Sequence, residues 1–436
     1  MSEISQNDAI DTADMVDAIN STTRKLATVQ VIQELRPIPG ADRIVVAIME
    51  GLGWECVVKK DEFKVGDKVI YIEVDSKVPE RPEFEFLRER KFKIKTIKLR
   101  KQISEGLIIP LSTLPLETEQ FCGNALVTWN TMEADKAPDA KKIPIEVGMD
   151  VSSIIGVYKY DPEGKAERAL IVAEKRSPVM RFMMNIPAFR YVYLKLNEKK
   201  GPWPEWIART DETRIQVCAK HIMNHYDEEW EITEKLDGQS ATFFLHPMKK
   251  WGFRIPTFGV CSRKIWLKTP TDSRYWQVAK KLDLEAKLRK ENEWYKKRQI
   301  SEKKNASLVV QGEQCGPGIQ GNKYQLSEID LYVFNVIANG IRYRYDLMLD
   351  FCKDHGLKAV PLVNGSFIPS RDIGPNKSVI EVVQFMVTLS QGNSLLLARP
   401  REGIVCRLKS DPNVSLKVIN PYFKMEQEKE EDNAEE

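Results

Sequence analysis

The chain has 436 residues, a formal net charge of +3 at pH 7, 42% hydrophobic and 30% charged residues, the balance of a soluble globular protein long enough for two or three domains. No apolar run reaches the length of a membrane span, and the polar first twenty residues lack the apolar segment of a secretion signal. Seven cysteines at 56, 122, 218, 261, 315, 352 and 406 form no Cys-x-x-Cys pair and the four histidines are dispersed, which argues against a disulfide framework and a structural zinc site and suits a reducing intracellular compartment, cytoplasmic or nuclear.

Residues 1–21 read as a disordered leader. Residues 22–115 read as a small all-β barrel: Ala27–Ile32, Ile44–Ile48 and Glu55–Val58 are strand-like, Pro37–Asp42 and Gly51–Gly53 punctuate them, and Phe63–Ile72 is a turn feeding another strand. Arg88–Lys101 carries eight lysines or arginines against one glutamate. Lys91, Lys93 and Lys95 alternate with Phe92, Ile94 and Thr96, which predicts one basic strand face, and a bulge after Thr96 is expected to keep that face continuous. Such a face neutralises phosphates, although the same lysines would also guard a solvated edge strand against aggregation. Residues 116–200 give the weakest signals and read as a connector. Within them Arg181–Leu196, rich in Met, Phe and Tyr, reads as a core or interdomain element.

The residues that carry chemistry fall in 201–425. Thr210 or Asp211 is placed to cap a helix continuing through Val217, Cys218 and Ile222. Trp230–Thr233 and Ala241–Leu245 read as paired strands around Glu234-Lys235-Leu236-Asp237-Gly238-Gln239-Ser240. A lysine attacks phosphorus or carbonyl only where burial or a nearby cation keeps its amine neutral. Gly238 would let the backbone approach a phosphate and Asp237 would hold a metal through water, while the stretch taken alone also fits an exposed hairpin turn. Downstream come a strand ending in Ser262 and Arg263 and a long helix over Tyr275–Arg298. A buried strand then delivers Glu313 into a glycine-rich loop, and another carries Phe334 at its middle. Last, a strand pair, Arg401–Arg407 and Ser415–Asn420, sets Glu402 and Lys417 at polar positions. Residues 426–436 form an acidic tail, read as a solubilising end.

The order lysine, arginine, glutamate, aromatic, glutamate, lysine resembles the covalent nucleotidyltransferases, the superfamily of DNA ligases, RNA ligases and RNA capping enzymes, from Trp203 to the acidic tail. Within it the chain is most similar to the fifth family of ATP-dependent RNA ligases, in which an OB-like domain precedes the catalytic one. The phrases that carry this are Phe92–Arg100, Arg209–Gln216, Gly312–Asn322 and Lys417–Asn420. The resemblance implies an α+β protein: an N-terminal OB-like β-barrel, then an antiparallel two-sheet nucleotidyltransferase domain, ATP-grasp-like, enclosing ATP. It implies that Lys235 becomes lysyl-AMP and that Asp237, Glu313 and Glu402 hold a hydrated Mg2+ or Mn2+. It further implies that Glu234, Gly238 and Ser240 line the nucleotide site, Glu313 also accepts from a ribose hydroxyl, Arg263 binds ribose or the 5′-phosphate, Phe334 stacks on adenine and Lys417 contacts the α-phosphate. AMP would pass to an RNA 5′-phosphate and a 3′-hydroxyl would displace it, most plausibly at a duplex nick and by a monomer. Ile419 departs from the pattern where a second lysine is expected, so Lys424 and the basic strand of the first domain become candidates for the pyrophosphate contacts. A GTP-using capping guanylyltransferase and a non-catalytic tRNA-binding protein are the alternatives.

Overall fold

A computed structural model describes residues 25–114, 116–117, 126–128, 142–160, 200–250, 252–268, 273–297 and 307–435. The leader and the Met/Phe/Tyr-rich stretch Arg181–Leu196 lie outside the described residues. The chain divides into two units, Met1–Val172 with Glu428–Glu436, and Ala173–Gln427.

The first unit is built on the eleven-residue strand Ala27–Pro37, which bends at a bulge between Ile32 and Glu34. Before the bend it pairs with Lys68–Ile72 and after it with Ile44–Met49, so one strand serves two directions of a five-stranded antiparallel sheet completed by Glu55–Lys59 and Leu107–Pro110. Alternation puts Val69 and Tyr71 in one core with Trp54 and Phe63, and Ile70 and Ile72 in another with Phe84 and Leu87. The second core also takes in Ile145, Val151, Ile155 and Val157. Ser152 Oγ accepts from the backbone amides of Leu26 and Ala27 at 3.0 and 2.9 Å. The end of the expected connector is thus part of the barrel unit.

The basic strand is not formed as expected. Pro82–Arg90 is a 3-10 helix, Lys91 and Phe92 turn through positive φ, and the strand begins only at Lys93. Lys93 is buried, donates to Tyr160 Oη at 2.8 Å and lies 4.1 Å from its ring centre. In place of a bulge after Thr96, a separate hairpin, Thr96–Leu99 with Gln102–Glu105, turns through Arg100 and Lys101, both at positive φ. A single lysine face is therefore replaced by an exposed basic hairpin tip.

In the second unit a large sheet runs in the order Lys200–Pro202, Ile265–Leu267, Phe253–Cys261, Gln239–Lys250, Leu308–Cys315, Asp330–Ala338 and Ile341–Arg342, with Lys358–Ala359 parallel beside Asp330–Ala338. A smaller antiparallel sheet runs Leu362–Phe367, Trp230–Lys235, Gly403–Leu408 and Ser415–Ile419. The strands on either side of Lys235 thus belong to different sheets, and the expected hairpin does not exist. Leu236-Asp237-Gly238 is the crossing between them. Each sheet covers its outer face with helices: Arg274–Lys281, Leu284–Lys297 and Tyr345–Asp354 on the large one, Ile215–Cys218, Lys220–Asn224 and Val379–Ser390 on the small one. Val379–Ser390 starts at a capping box, Ser378 with Glu381.

Three further expectations are corrected. The helix at Ile215 begins after Arg214 with no side-chain cap, because Thr210 accepts from Ser240 and Asp211 pairs with Arg263. The long helix is two, broken at Asp283 with φ 50°. The acidic tail continues the helix Pro421–Glu435.

Candidate functional site

The inner faces of the two sheets bring the acids and the lysine together. On the small sheet, Lys235 is opposite Gly403, and Thr233 is opposite Val405, itself opposite Lys417. Opposed residues share a face and alternate residues return to it, so Lys235 and Lys417 project from one side while Ile232, Ile404, Cys406 and Val418 fill the core on the other. On the large sheet, Ser240 is opposite Glu313 and Thr242 opposite Gln311. A polar ladder follows: Ser240 Oγ donates to Thr210 Oγ1 at 2.9 Å, and Asn335 Nδ2 donates to Gln311 Oε1 at 2.8 Å.

Lys235 Nζ donates to Glu402 Oε1 at 2.5 Å. The other oxygen of Glu402 is buried with no hydrogen-bond partner. Burial alone would favour the neutral amine of Lys235, but Glu402, Glu313 and Asp237 outweigh it and hold the ammonium above its ordinary pKa. Burial pushes the Glu313 carboxyl up to about 8, with Lys235 pulling against it and Glu402 and Asp237 adding to the rise. Glu402 is raised by burial too, against the pull of Lys235. Glu313 and Glu402 are thus both pushed toward the protonated form, which a further cation would oppose.

Asp237 is fixed at both ends. Its amide donates to Tyr324 Oη at 2.8 Å and its carboxylate lies 2.8 Å from Lys323 Nζ, a pair at most 10% exposed. Sequence reading missed both partners. They lie just past the glycine-rich loop, where Gln320, Asn322 and Gln325 take positive φ and Asn322 exchanges hydrogen bonds with the backbone of Leu326. Phe423 places its ring 4.5 Å from Lys323 Nζ.

The remaining expected residues are distributed as follows. Arg263 pairs with Asp211 at 2.7 Å, and its charge reaches Glu313. Phe334 is the extra residue of a bulge opposite Gln311–Gly312, half-buried against the large-sheet core. Lys417 donates its amide to Thr213 O, and its charge reaches Glu402. Glu234 faces away from Lys235, accepts from the amide of Leu395 at 2.8 Å and is raised by burial, so its side chain is not part of the cluster. Gly238 serves packing: a Cβ there would stand 2.3 Å from Gln314 O and 2.9 Å from Cys315 Sγ. The Cys315 thiol is buried and pushed far above its usual range, which suits a packed residue and no nucleophile. Ile419 is buried opposite Gly403. Lys424, in the C-terminal helix, reaches Gln427.

Asp237, Glu313 and Glu402 fit a divalent cation in charge, since Glu402 keeps an orphaned buried oxygen and Glu313 is held protonated for want of positive charge. Among the described residues no three His, Cys, Asp or Glu side chains converge as direct ligands, so the fit is to an ion held through its water shell.

Residues 26–111 match a family model described as an OB-fold domain, and residues 228–419 match the RNA ligase model. Among solved structures the chain is similar to Naegleria gruberi RNA ligase with PPi (24% identity, TM-score 0.65, 93% of this chain and 99% of that chain). It is likewise similar to a lysine-to-methionine variant of that ligase with AMP and Mn (24%, 0.65, 92% and 99%) and to a lysine-to-alanine variant with ATP and Mn (24%, 0.65, 93% and 100%). No curated protein matches the sequence. Likeness at this identity carries the fold, and the family models supply the rest: the chain has an OB-fold domain followed by an RNA ligase domain.

Proposed function

We propose that this chain is an ATP-dependent RNA ligase that joins 3′-hydroxyl and 5′-phosphate ends, at nicks in a duplex, through lysyl-AMP. The observation that carries the reading is the Lys235–Glu402 pair at 2.5 Å, facing Glu313 across two sheets of one chain. Because both sheets come from the same chain, a monomer contains every residue invoked.

Lys235 attacks the α-phosphorus of ATP, a new P–N bond forms, the P–O bond to the β-phosphate breaks and pyrophosphate leaves. The attacking amine must shed a proton. Glu402 is in contact with it, and burial gives that carboxylate the basicity to accept. A divalent cation, when bound, supplies charge that favours the neutral amine and opposes charge growing on the phosphate; Asp237, Glu313 and Glu402 would hold it. Lys417 and Arg263 bring positive charge to the same cluster, suited to the α-phosphate and to ribose or the RNA 5′-phosphate. Ser240 and Gly238 shape the nucleotide-side turn, Phe334 is the adenine-facing aromatic and Glu234 contributes through its main chain. Complexes of the structural neighbours with ATP, AMP, PPi and Mn support ATP and a divalent cation as the ligands.

The test is to incubate the protein with labelled ATP or GTP and magnesium and to measure label that survives acid. Label from ATP alone is expected. Label from GTP alone would make the protein a capping-type guanylyltransferase, and none from either would leave RNA binding without catalysis.

Among the described residues no helix is long and apolar enough to cross a membrane.

A further inference from the structure

One short segment, residues 208–214, touches both sheets of the cleft in succession. Ala208 O accepts from Gln311 Nε2 at 2.9 Å, Thr210 Oγ1 accepts from Ser240 Oγ at 2.9 Å and Asp211 pairs with Arg263 at 2.7 Å, all on the side of the large sheet. From Glu212 onward the partners belong to the small sheet. Thr213 O accepts from the amide of Lys417 at 2.8 Å, and Arg214 pairs in parallel with Lys417 at the edge of that sheet.

Glu212 stands at the change of sheet, and both of its oxygens are used. One takes Arg407 Nη2 at 3.3 Å and the other takes the Ser415 hydroxyl. Arg407 and Ser415 are opposed to each other, two residues along from Val405 and Lys417, so they share the face that carries Lys417. The second terminal nitrogen of Arg407 reaches the large sheet and donates to the carbonyl of Phe334 at 2.9 Å. That carbonyl belongs to the bulge. Strand pairing passes from Asn335 opposite Gln311 to Val333 opposite Gly312, and the strands on the other side meet Val333 and Ile337, so Phe334 has no opposite residue on either side to set its orientation. Arg407 sets it instead. Its side chain is only 10% exposed, and burial together with the neighbouring charge of Arg407 holds the Arg342 guanidinium below its ordinary pKa, with Glu212 and Asp411 pulling the other way. Glu212 thus holds one of two crowded guanidinium groups in place.

We propose that Glu212 is a positioning residue for the nucleotide base: through Arg407 it fixes the backbone of the bulge and, with it, the ring of Phe334. Without the carboxylate, repulsion from Arg342 moves Arg407 off the Phe334 carbonyl, and the bulge loses the contact that orients its aromatic. The inference rests on the ligase reading, in which Phe334 faces adenine, and adds the residue that holds that ring.

The test compares the wild-type protein, Glu212→Gln, and the pair swap of Glu212→Gln with Arg407→Met, by acid-stable labelling over a range of ATP concentrations at fixed free magnesium. Glu212→Gln is expected to melt lower and the pair swap to recover most of that loss, because the stranded guanidinium is gone. In both variants the ATP concentration for half-maximal labelling is expected to rise by about tenfold, part of what a base–aromatic stack contributes. The maximal rate is expected to stay within about threefold of wild type. Inorganic triphosphate, which has no base, is expected to compete with ATP for the wild-type and swapped proteins with inhibition constants within about twofold of each other. A pair swap that recovers stability and the wild-type ATP dependence together would overturn the proposal, since the contact would then serve folding alone. So would an equal loss for ATP and for triphosphate, which would mean that the whole cleft had loosened. Should the pair swap not fold, a Phe334→Leu background answers the same question. Adding Glu212→Gln there is expected to raise the half-maximal ATP concentration by less than about twofold further, and a further rise of about tenfold would overturn the proposal. Absence of label from the wild-type protein would count against the ligase reading, whereas normal wild-type labelling with variants that match it would count against the positioning role alone.

Discussion

Lys323 is buried against Asp237, and a buried charge whose partner is removed costs far more than the pair contributes. Lys323→Met is expected to lower unfolding stability by about 3–5 kcal/mol, and Asp237→Asn in the same chain to recover most of that loss, both read by denaturant unfolding. If the double variant were no more stable than the single one, the two side chains would not be acting as a pair. Glu313 makes a pH prediction. Its folded pKa, about 8, lies above the ordinary 4.5, so the folded state binds the extra proton between these values. Its contribution to stability is whole below about pH 4.5 and is lost as pH rises to about 8. Without divalent cations the melting temperature should fall across that interval by more in the wild-type protein than in Glu313→Gln. Equal slopes would show that Glu313 is not held protonated. Lys323 itself was not legible in the sequence: it follows a glycine-rich loop like many surface lysines, and only positive φ at Gln320 and Asn322 turns it inward. Lys235 and Glu313 stood out through the ordered set of chemical residues rather than through their neighbours: Lys235 closes its strand and Glu313 follows Gly312 within its own.

The element that decides the site is the three-residue crossing Leu236-Asp237-Gly238. Two strand-like runs around a short polar turn read as a hairpin, and nothing local says that they join different sheets. That depends on Leu308–Cys315 and Gly403–Leu408, which pair with the two strands from far along the chain. Gly238→Ala tests the crossing. Its Cβ would meet the backbone oxygen of Gln314, which cannot yield as a flexible side chain would. A loss of about 1–3 kcal/mol is expected, accompanied by a loss of labelling that exceeds the unfolded fraction. Normal labelling at normal stability would mean that the strands tolerate separation there. The basic strand failed for a related reason: Lys93 is paid in contacts with Tyr160, which is distant in sequence, and the chain breaks at Lys91–Phe92 to put it there. The helix over Tyr275–Arg298 had the right apolar spacing on both sides of Asp283, so periodicity showed the helical content and missed the break.

For the whole molecule, the order of chemical residues was more informative than any local pattern. An all-β unit ahead of a two-sheet unit was legible from alternating strands and from that order, whereas the capture of residues 145–157 by the barrel was not, because short segments such as Val151–Val157 become core only against Ala27 and Val29. What unites the ligase domain is one amine enclosed by carboxylates between two sheets, and its chemistry is directly measurable. Intact-mass spectrometry of the protein incubated with ATP and magnesium should show the gain of one adenylyl group, and Lys235→Ala should show none while remaining folded. A wild-type protein that gains no mass, or a Lys235→Ala protein that gains it undiminished, would contradict the account.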